Sequence, residues 1–219
     1  MIKALWNKKT FQRIFLNQMM GTLAISDSNI VDIGGGDKNS SYHMLLSKKG
    51  NQFISIDMTK NCDYKLDLEN AELPFSDNSV EVVFCFNVLE HIFNYQHLLD
   101  EVYRVLKKDG HFYLYVPFLM NKHSDPYDYF RYTDTALIKL FEATGFKYLK
   151  LQCSFGSAKS VHSSISWLIG NSRFSIFGNV LNVLSGIICY CFDKILDCFD
   201  STRVLNRRFL LGVFIECRK

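Results

Sequence analysis

The stretch Asn29-Ile30-Val31-Asp32-Ile33-Gly34-Gly35-Gly36 decides how this chain is read. Strand-forming residues run into three glycines, which predicts a strand over 29–33 closed by a glycine turn. A helical pattern through about 42–48 follows, and then QFISID, a second strand over 52–57. A strand, a glycine turn, a helix and another strand form the opening unit of a doubly wound parallel sheet. Glycine at the carboxyl end of the first strand lets the backbone approach a ligand. The helix N-terminus beyond it offers unpaired N–H groups to a carboxylate or phosphate. Two familiar phosphate loops are excluded: counted from Gly34, Asn39 stands where G-x-G-x-x-G needs its last glycine, and no Gly-Lys-Ser/Thr follows. Asp57 closes the second strand about twenty residues on, where an acid accepts both hydroxyls of a ribose. Asp67 closes a short third strand predicted over 63–68. Each acid alone reads equally as a loop acid or a helix cap. Three in register, Asp32 included, point to a nucleoside with an unphosphorylated 2′ position.

Working outward, VEVVFCF (80–86) is almost wholly apolar, as in a central strand buried on both faces. Leu98, Leu99, Val102, Val105 and Leu106 recur at helical spacing, and Asp109-Gly110 is expected to end that helix and open the strand HFYLYVPF (111–118). Thr133 or Asp134 caps a helix through TALIKLFEAT, Gly145 stops it, and strands over 146–155 and 208–217 complete the series. The fold class is therefore α/β, with 219 residues suiting one full core. A 48% hydrophobic content excludes a disordered chain. The 25 basic residues against 22 acidic ones lack the excess of a general nucleic-acid binder, so no nucleic-acid partner is expected. Seven cysteines without a C-x-x-C pair offer no zinc spacing; they read as incidental thiols in a reducing cytoplasm, and no metal is expected.

Between residues 29 and 155 these segments resemble, in order, the class I S-adenosylmethionine-dependent methyltransferases, and specifically the small methyltransferase-domain family called type 11. VDIGGG is similar to the family's glycine motif, and FISIDM to its second segment. DLENAELPFSDNSVEVVFCFNVLEHI resembles the third block, most specifically in its Leu73-Pro74-Phe75 turn and its Val88–Ile92 end, and EVYRVLKKDGHFYLYVPF resembles the helix-turn-strand that follows. The family's further glycine, two positions beyond Gly36, is Lys38 here. The resemblance implies a Rossmann-like, mostly parallel seven-stranded sheet with an antiparallel last strand. It also implies S-adenosyl-L-methionine as cofactor, held by Asp32, Gly34, Gly35, Gly36, Asp57, Met58, Asp67, Leu68, Phe86 and Asn87. The implied reaction is direct displacement at the sulfonium methyl, in which alignment of the acceptor supplies much of the rate. Phe86-Asn87-Val88-Leu89 does not fit the Asp/Asn-Pro-Pro-Tyr/Phe tetrapeptide of enzymes that methylate exocyclic amines, so an oxygen acceptor is favoured.

The acceptor side is expected after the fifth strand, where residues 123–132 gather a histidine, two acids, an arginine and four aromatics. Similar P-x-D-Y-x-R-Y-T stretches occur in family members encoded with surface-polysaccharide synthesis, which implies a small or glycan-linked acceptor. Tyr127, Tyr129 and Tyr132 are expected to stack on it, and Arg131 to pair with a phosphate or carboxylate. A loop latched by its own Asp–Arg pair is the other reading, and both can hold together. His123 and Asp125 are the candidates for proton removal, with His91 a third that reads first as a packing residue.

Residues 174–192, FSIFGNVLNVLSGIICYCF, carry no charge and approach the length of a membrane span. If the chain's last strand rejoins the sheet, one crossing between the last two strands is excluded. A cap over the site, an oligomer interface such as a homodimer's, or a helix lying in a membrane surface remain. Arg203, Arg207 and Arg208, with the basic N-terminal stretch, favour the last. That N-terminal stretch lacks the continuous apolar region of a signal peptide. The expected organisation is an N-terminal helical extension (1–28), read as one basic, partly amphipathic helix, a cofactor-binding core (29–155), an apolar helical insert (156–206) and a last core strand (207–219). The expected location is cytoplasmic or peripheral at the inner membrane face. Two alternatives stand beside the glycan-linked acceptor: a lipid- or quinone-type acceptor at the membrane surface, or a non-catalytic cofactor binder of the same fold.

Overall fold

In a computed structural model of the chain, described for residues 1–7, 9–36, 40–58, 61–123, 127–156, 158–162, 175–199 and 209–219, the apolar runs become the strands of one sheet. These are β1 (Asn29–Ile33), β2 (Gln52–Asp57), β3 (Tyr64–Lys65), β4 (Val80–Phe86), β5 (Leu106–Pro117), β6 (Lys147–Phe155) and β7 (Leu210–Arg218). Their order is β3-β2-β1-β4-β5-β7-β6. The pairs from β3 to β5 are parallel. β7 runs antiparallel beside β5: Phe118 donates to the Leu211 carbonyl at one end and Lys219 to that of Gly110 at the other. The fold is thus the doubly wound Rossmann-like sheet with an antiparallel last strand.

β1 and β4 sit at the centre, and Ile30, Ile33, Val83 and Phe84 are fully buried, which is why their sequences show unbroken apolar runs. The helices are α1 (Ile2–Trp6), α2 (Phe11–Thr22), α3 (Ser41–Ser47), α4 (Tyr95–Val105), α5 (Asp134–Thr144) and α6 (Ser175–Phe199). Thr133 caps α5 by accepting from the Ala136 N–H, and Gly145 ends it in the left-handed region at φ 99°.

Three boundaries depart from expectation. β3 keeps two residues, because pairing with β2 lasts only through Ile56–Tyr64 and Asp57–Lys65. α4 stops at Val105 rather than at Asp109-Gly110. The amides of Asn78 and Ser79 take the carbonyls of Arg104 and Val105, and Leu106 already pairs with Val80. Asp109, at φ 65°, and Gly110 then form a kink inside β5. The basic N-terminal stretch folds as two helices, with a break between Trp6 and Phe11.

The chain divides into two units. The larger comprises residues 19–117, 123–152 and 213–219, and holds most of the sheet. Within it, the Leu73-Pro74-Phe75 turn is tied to α4 by two residues. Glu101 accepts from the Leu73 N–H at 2.8 Å, and Arg104 donates to the carbonyls of Leu73 (3.0 Å) and Phe75 (2.9 Å) and to Asp77 (2.8 Å). The smaller unit comprises residues 1–18, 118–122 and 153–212, with α1, most of α2, all of α6, the end of β6 and the start of β7. Within it, α1 packs on α6. Leu5 is fully buried, and a Cβ added at Gly186 would come within 2.8 Å of it.

Candidate active site

The larger unit has a cavity of about 590 Å³ at the carboxyl ends of β1, β2 and β4, where ligands bind in doubly wound sheets. A second cavity of about 630 Å³ lies at the opposite strand ends, lined by residues such as Ser28, Glu81 and Lys107. No residue proposed from sequence reaches that one, and the carboxyl-end cavity is the candidate site. Of the residues expected to hold the cofactor, Gly34, Asp57, Met58, Asp67, Leu68 and Asn87 line it. So do Glu69, Asn70, Val88 and Phe93, which the sequence reading did not single out.

Glycine is required where the wall turns. Gly34 has φ 74°, and a Cβ there would lie 2.1 Å from Val88 Cγ2. Gly36, at φ 56°, donates its N–H to Asp57 Oδ2 at 3.0 Å. Asp57 thereby ties the glycine turn to the end of β2 and keeps a carboxylate on the cavity wall. Asn87 closes β4 at φ 57° and donates its N–H to the Tyr115 carbonyl. The Glu69 carboxylate accepts from the amides of Phe93 (2.7 Å) and Asn94 (2.9 Å), fixing the far rim. A bare glycine backbone facing an acid at ribose-accepting position suits an adenosine-bearing cofactor. Asp67, Leu68 and Met58 complete a wall for its base.

The acceptor side is built on two segments, the 3₁₀ turn Leu89–His91 after β4 and the loop after β5. Tyr129 and Phe130 donate backbone N–H groups to the Glu90 carbonyl, which joins the two. His91 Nδ1 lies 2.5 Å from the Tyr127 carbonyl, and the rings of His91 and His123 meet edge to face at 4.8 Å. Both Nε2 atoms face Glu90 Oε1, at 3.7 Å from His91 and 3.9 Å from His123. Glu90 is fully buried, and neither carboxylate oxygen has a hydrogen-bond partner among the described residues. Burial pushes its carboxyl up to about 8, opposed by the charge of Arg131. The three ligand atoms lie within 4.8 Å of one another, close enough for a cation to gather them. Tyr127 and Tyr129 line the cavity and are well exposed, with ring centroids 5.6 Å apart, and Phe93 packs against Tyr129 at 5.3 Å.

Several expected site residues have other work. Asp32 is fully buried behind the glycine turn, where Tyr42 Oη donates to it at 2.8 Å and His43 pairs with it. Burial raises its carboxyl, and the two α3 partners oppose that rise. A Cβ at Gly35 would strike that carboxylate at 2.7 Å, so Gly35 makes room for Asp32 rather than for a ligand. Phe86 is a core ring against Tyr42 and Phe84. Arg131 forms a two-pronged pair with Asp128 and holds that carboxyl down to about 2. The latch is therefore present at Arg131, whose side chain still keeps part of its surface exposed. Tyr132 is buried with its hydroxyl toward the Leu89 carbonyl, so it packs rather than stacks on an acceptor. Lys38 and Asp125 lie outside the described residues.

Comparison with known proteins decides what this cavity belongs to. Residues 31–114 match the family model described as a methyltransferase domain. They form a methyltransferase domain, and its fold is that of the class I S-adenosylmethionine-dependent methyltransferases. The glycine turn, Asp57 and the wall around Asp67 are the residues that would hold S-adenosyl-L-methionine. An uncharacterized protein of Methanocaldococcus jannaschii is 41% identical over 102 residues, covering 43% of this chain and 44% of that protein's length. Among solved structures, the cyclase SpnF superposes at TM-score 0.61 with 13% identity, covering 94% of this chain and 80% of that one. An S-adenosylmethionine-dependent methyltransferase of Mesorhizobium loti gives TM-score 0.58 with 11% identity over 95% and 98% of the two chains. A Haemonchus contortus phosphoethanolamine N-methyltransferase, solved with S-adenosyl-L-methionine, gives 0.56 with 16% identity over 95% and 52%. These likenesses show the fold of the methyltransferase domain. A cyclase among them is a reminder that the acceptor chemistry is set by local residues.

Proposed function

We propose that the chain transfers a methyl group from S-adenosylmethionine to an oxygen of a small or glycan-linked acceptor. The observation that carries this reading is the exposed aromatic rim. Tyr127, Tyr129 and Phe93 stand on the same cavity as Gly34 and Asp57, next to the His91–His123 pair. Aromatic faces stack on sugar rings, and their exposure leaves them available to do so.

When bound, the cofactor supplies a methyl carbon on a sulfonium, which leaves as a neutral thioether. The chain's residues hold the two reactants. Asp57 would accept from the ribose hydroxyls and the glycine turn would admit close backbone approach, while Asn87 and Val88 line the wall toward the acceptor rim. An acceptor hydroxyl must lose its proton as the O–C bond forms, and the His91–His123 pair stands beside the rim to take it. We assign that role to His123, whose Nδ1 faces Asp128 Oδ2 at 3.6 Å and whose ring meets that of His91 on the cavity wall.

The test is transfer of labelled methyl from S-adenosylmethionine to a panel of nucleotide sugars and lipid-linked oligosaccharides. The reading predicts alkali-stable label in a glycan fraction, lost in His123→Ala. A chain that binds the cofactor by calorimetry and labels nothing would be the non-catalytic binder instead. A second reading, an acceptor carried by a lipid or a quinone-like ring, draws support from the outward apolar face of α6.

A further inference from the structure

Helix α6 is turned inside out. Its inward face is polar and small: Asn182 and Asp193 are each 1% exposed. Asn182 donates to the Leu5 carbonyl at 2.7 Å, and Ser185 meets His162 at 3.1 Å. Asp193 accepts from the amides of Ala158 and Lys159, and Gly186 sits against Leu5. Its outward face carries Leu181, Leu184, Ile188, Phe192 and Ile195, spaced three and four apart along one side and between 39% and 67% exposed. A helix packed on a protein in water shows the reverse order.

Two facts say what covers this face. The first is charge. Residues 1–18, 118–122 and 153–212 hold eleven basic and three acidic residues, whereas the rest of the chain holds fourteen and nineteen. The chain's net charge of +3 therefore hides a strongly basic part that carries α6 and an acidic part that carries the cofactor cavity. The second is α1, which is held on α6 through Leu5 and brings Met1, Ile2 and Trp6, each 45–59% exposed, together with Lys3. Tryptophan and basic residues flanking an apolar helix face are the makeup of an interfacial helix. A crossing by α6 alone is excluded, because it would part β6 from β7. These strands are neighbours in the sheet, and Gly156 donates to the Phe209 carbonyl.

We propose that the outward face of α6, with α1 beside it, seats the chain on the surface of a bilayer containing anionic lipid. A second copy is the weaker occupant, since pairing two such faces would bring together two parts of the same charge. The proposal stands apart from the acceptor assignment, because vesicle binding is read without turnover.

The experiment is flotation of the full chain with phosphatidylcholine vesicles and with vesicles containing phosphatidylglycerol. Expected are recovery with the anionic vesicles, release by high salt, and at least about a tenfold loss of binding in the double variant Leu184→Ser/Ile188→Ser. These side chains face outward, so unchanged calorimetric affinity for S-adenosylmethionine confirms that the variant is folded. No flotation with either vesicle, or flotation untouched by the substitutions, overturns the proposal. A dimer by light scattering that the same substitutions dissolve, with no vesicle binding, assigns the face to a second copy instead.

Discussion

His91 and His123 meet edge to face at 4.8 Å across the gap between the turn after β4 and the loop after β5, and both turn Nε2 toward the buried Glu90. If this pair takes the acceptor's proton, His123→Ala lowers methyl transfer by roughly 10²- to 10⁴-fold. Affinity for S-adenosylmethionine stays unchanged by calorimetry, because His123 is not part of the cavity wall.

The same cluster could instead gather a cation. Proton transfer by histidine needs none, so turnover is expected to survive dialysis against a chelator. Loss of activity that returns with added zinc or manganese would redefine the cluster as a metal centre.

Glu90 predicts an unusual dependence of stability on pH. In the folded chain its carboxyl keeps a proton up to about 8, against an ordinary value of 4.5. Its favourable contribution is therefore complete below 4.5 and is lost as pH rises through 8. Urea unfolding of the wild type should show a fall of a few kcal/mol across that window. Glu90→Gln, which cannot ionise, should flatten it and be the more stable form at alkaline pH.

The cofactor cradle makes its own prediction. Asp57→Ala removes the acceptor of the Gly36 N–H and of the ribose, and should weaken S-adenosylmethionine binding about ten- to a hundredfold with little change in melting temperature. Gly34→Ala drives a Cβ into Val88 and should abolish binding. A cofactor affinity equal to wild type in either variant would remove this cavity from consideration.

Arg104 tests the frame rather than the site. Its bonds to Glu101, Asp77 and the Leu73 and Phe75 carbonyls hold the turn that the sequence marks most plainly. Arg104→Met should cost about 1–3 kcal/mol in urea unfolding, the half-exposed setting tempering the loss. Cofactor affinity should not change.

By itself the sequence determined the strand series, the glycine turn and Asp57. These depend on local patterning: apolar runs wide enough to be buried on both faces, and a backbone conformation that glycine alone takes beside Val88. Residue type could not say which way a side chain points once the sheet closes. Asp32 lies one residue inside the end of β1, level with Ser55, where α3 partners hold it in the core; Asp57 ends β2 two positions further along and lies on the cavity. Tyr132 shares a motif with Tyr127 and Tyr129, but burial against Leu89 withdraws it, while Arg131 is latched to Asp128. Glu90 reads in the sequence as part of a packing signature. Only the meeting of two distant segments makes it a buried acid beneath two histidines. α6 is the sharpest case: its apolar composition is legible, but which face looks outward was decided by Asn182, Ser185 and Asp193 finding polar partners inside.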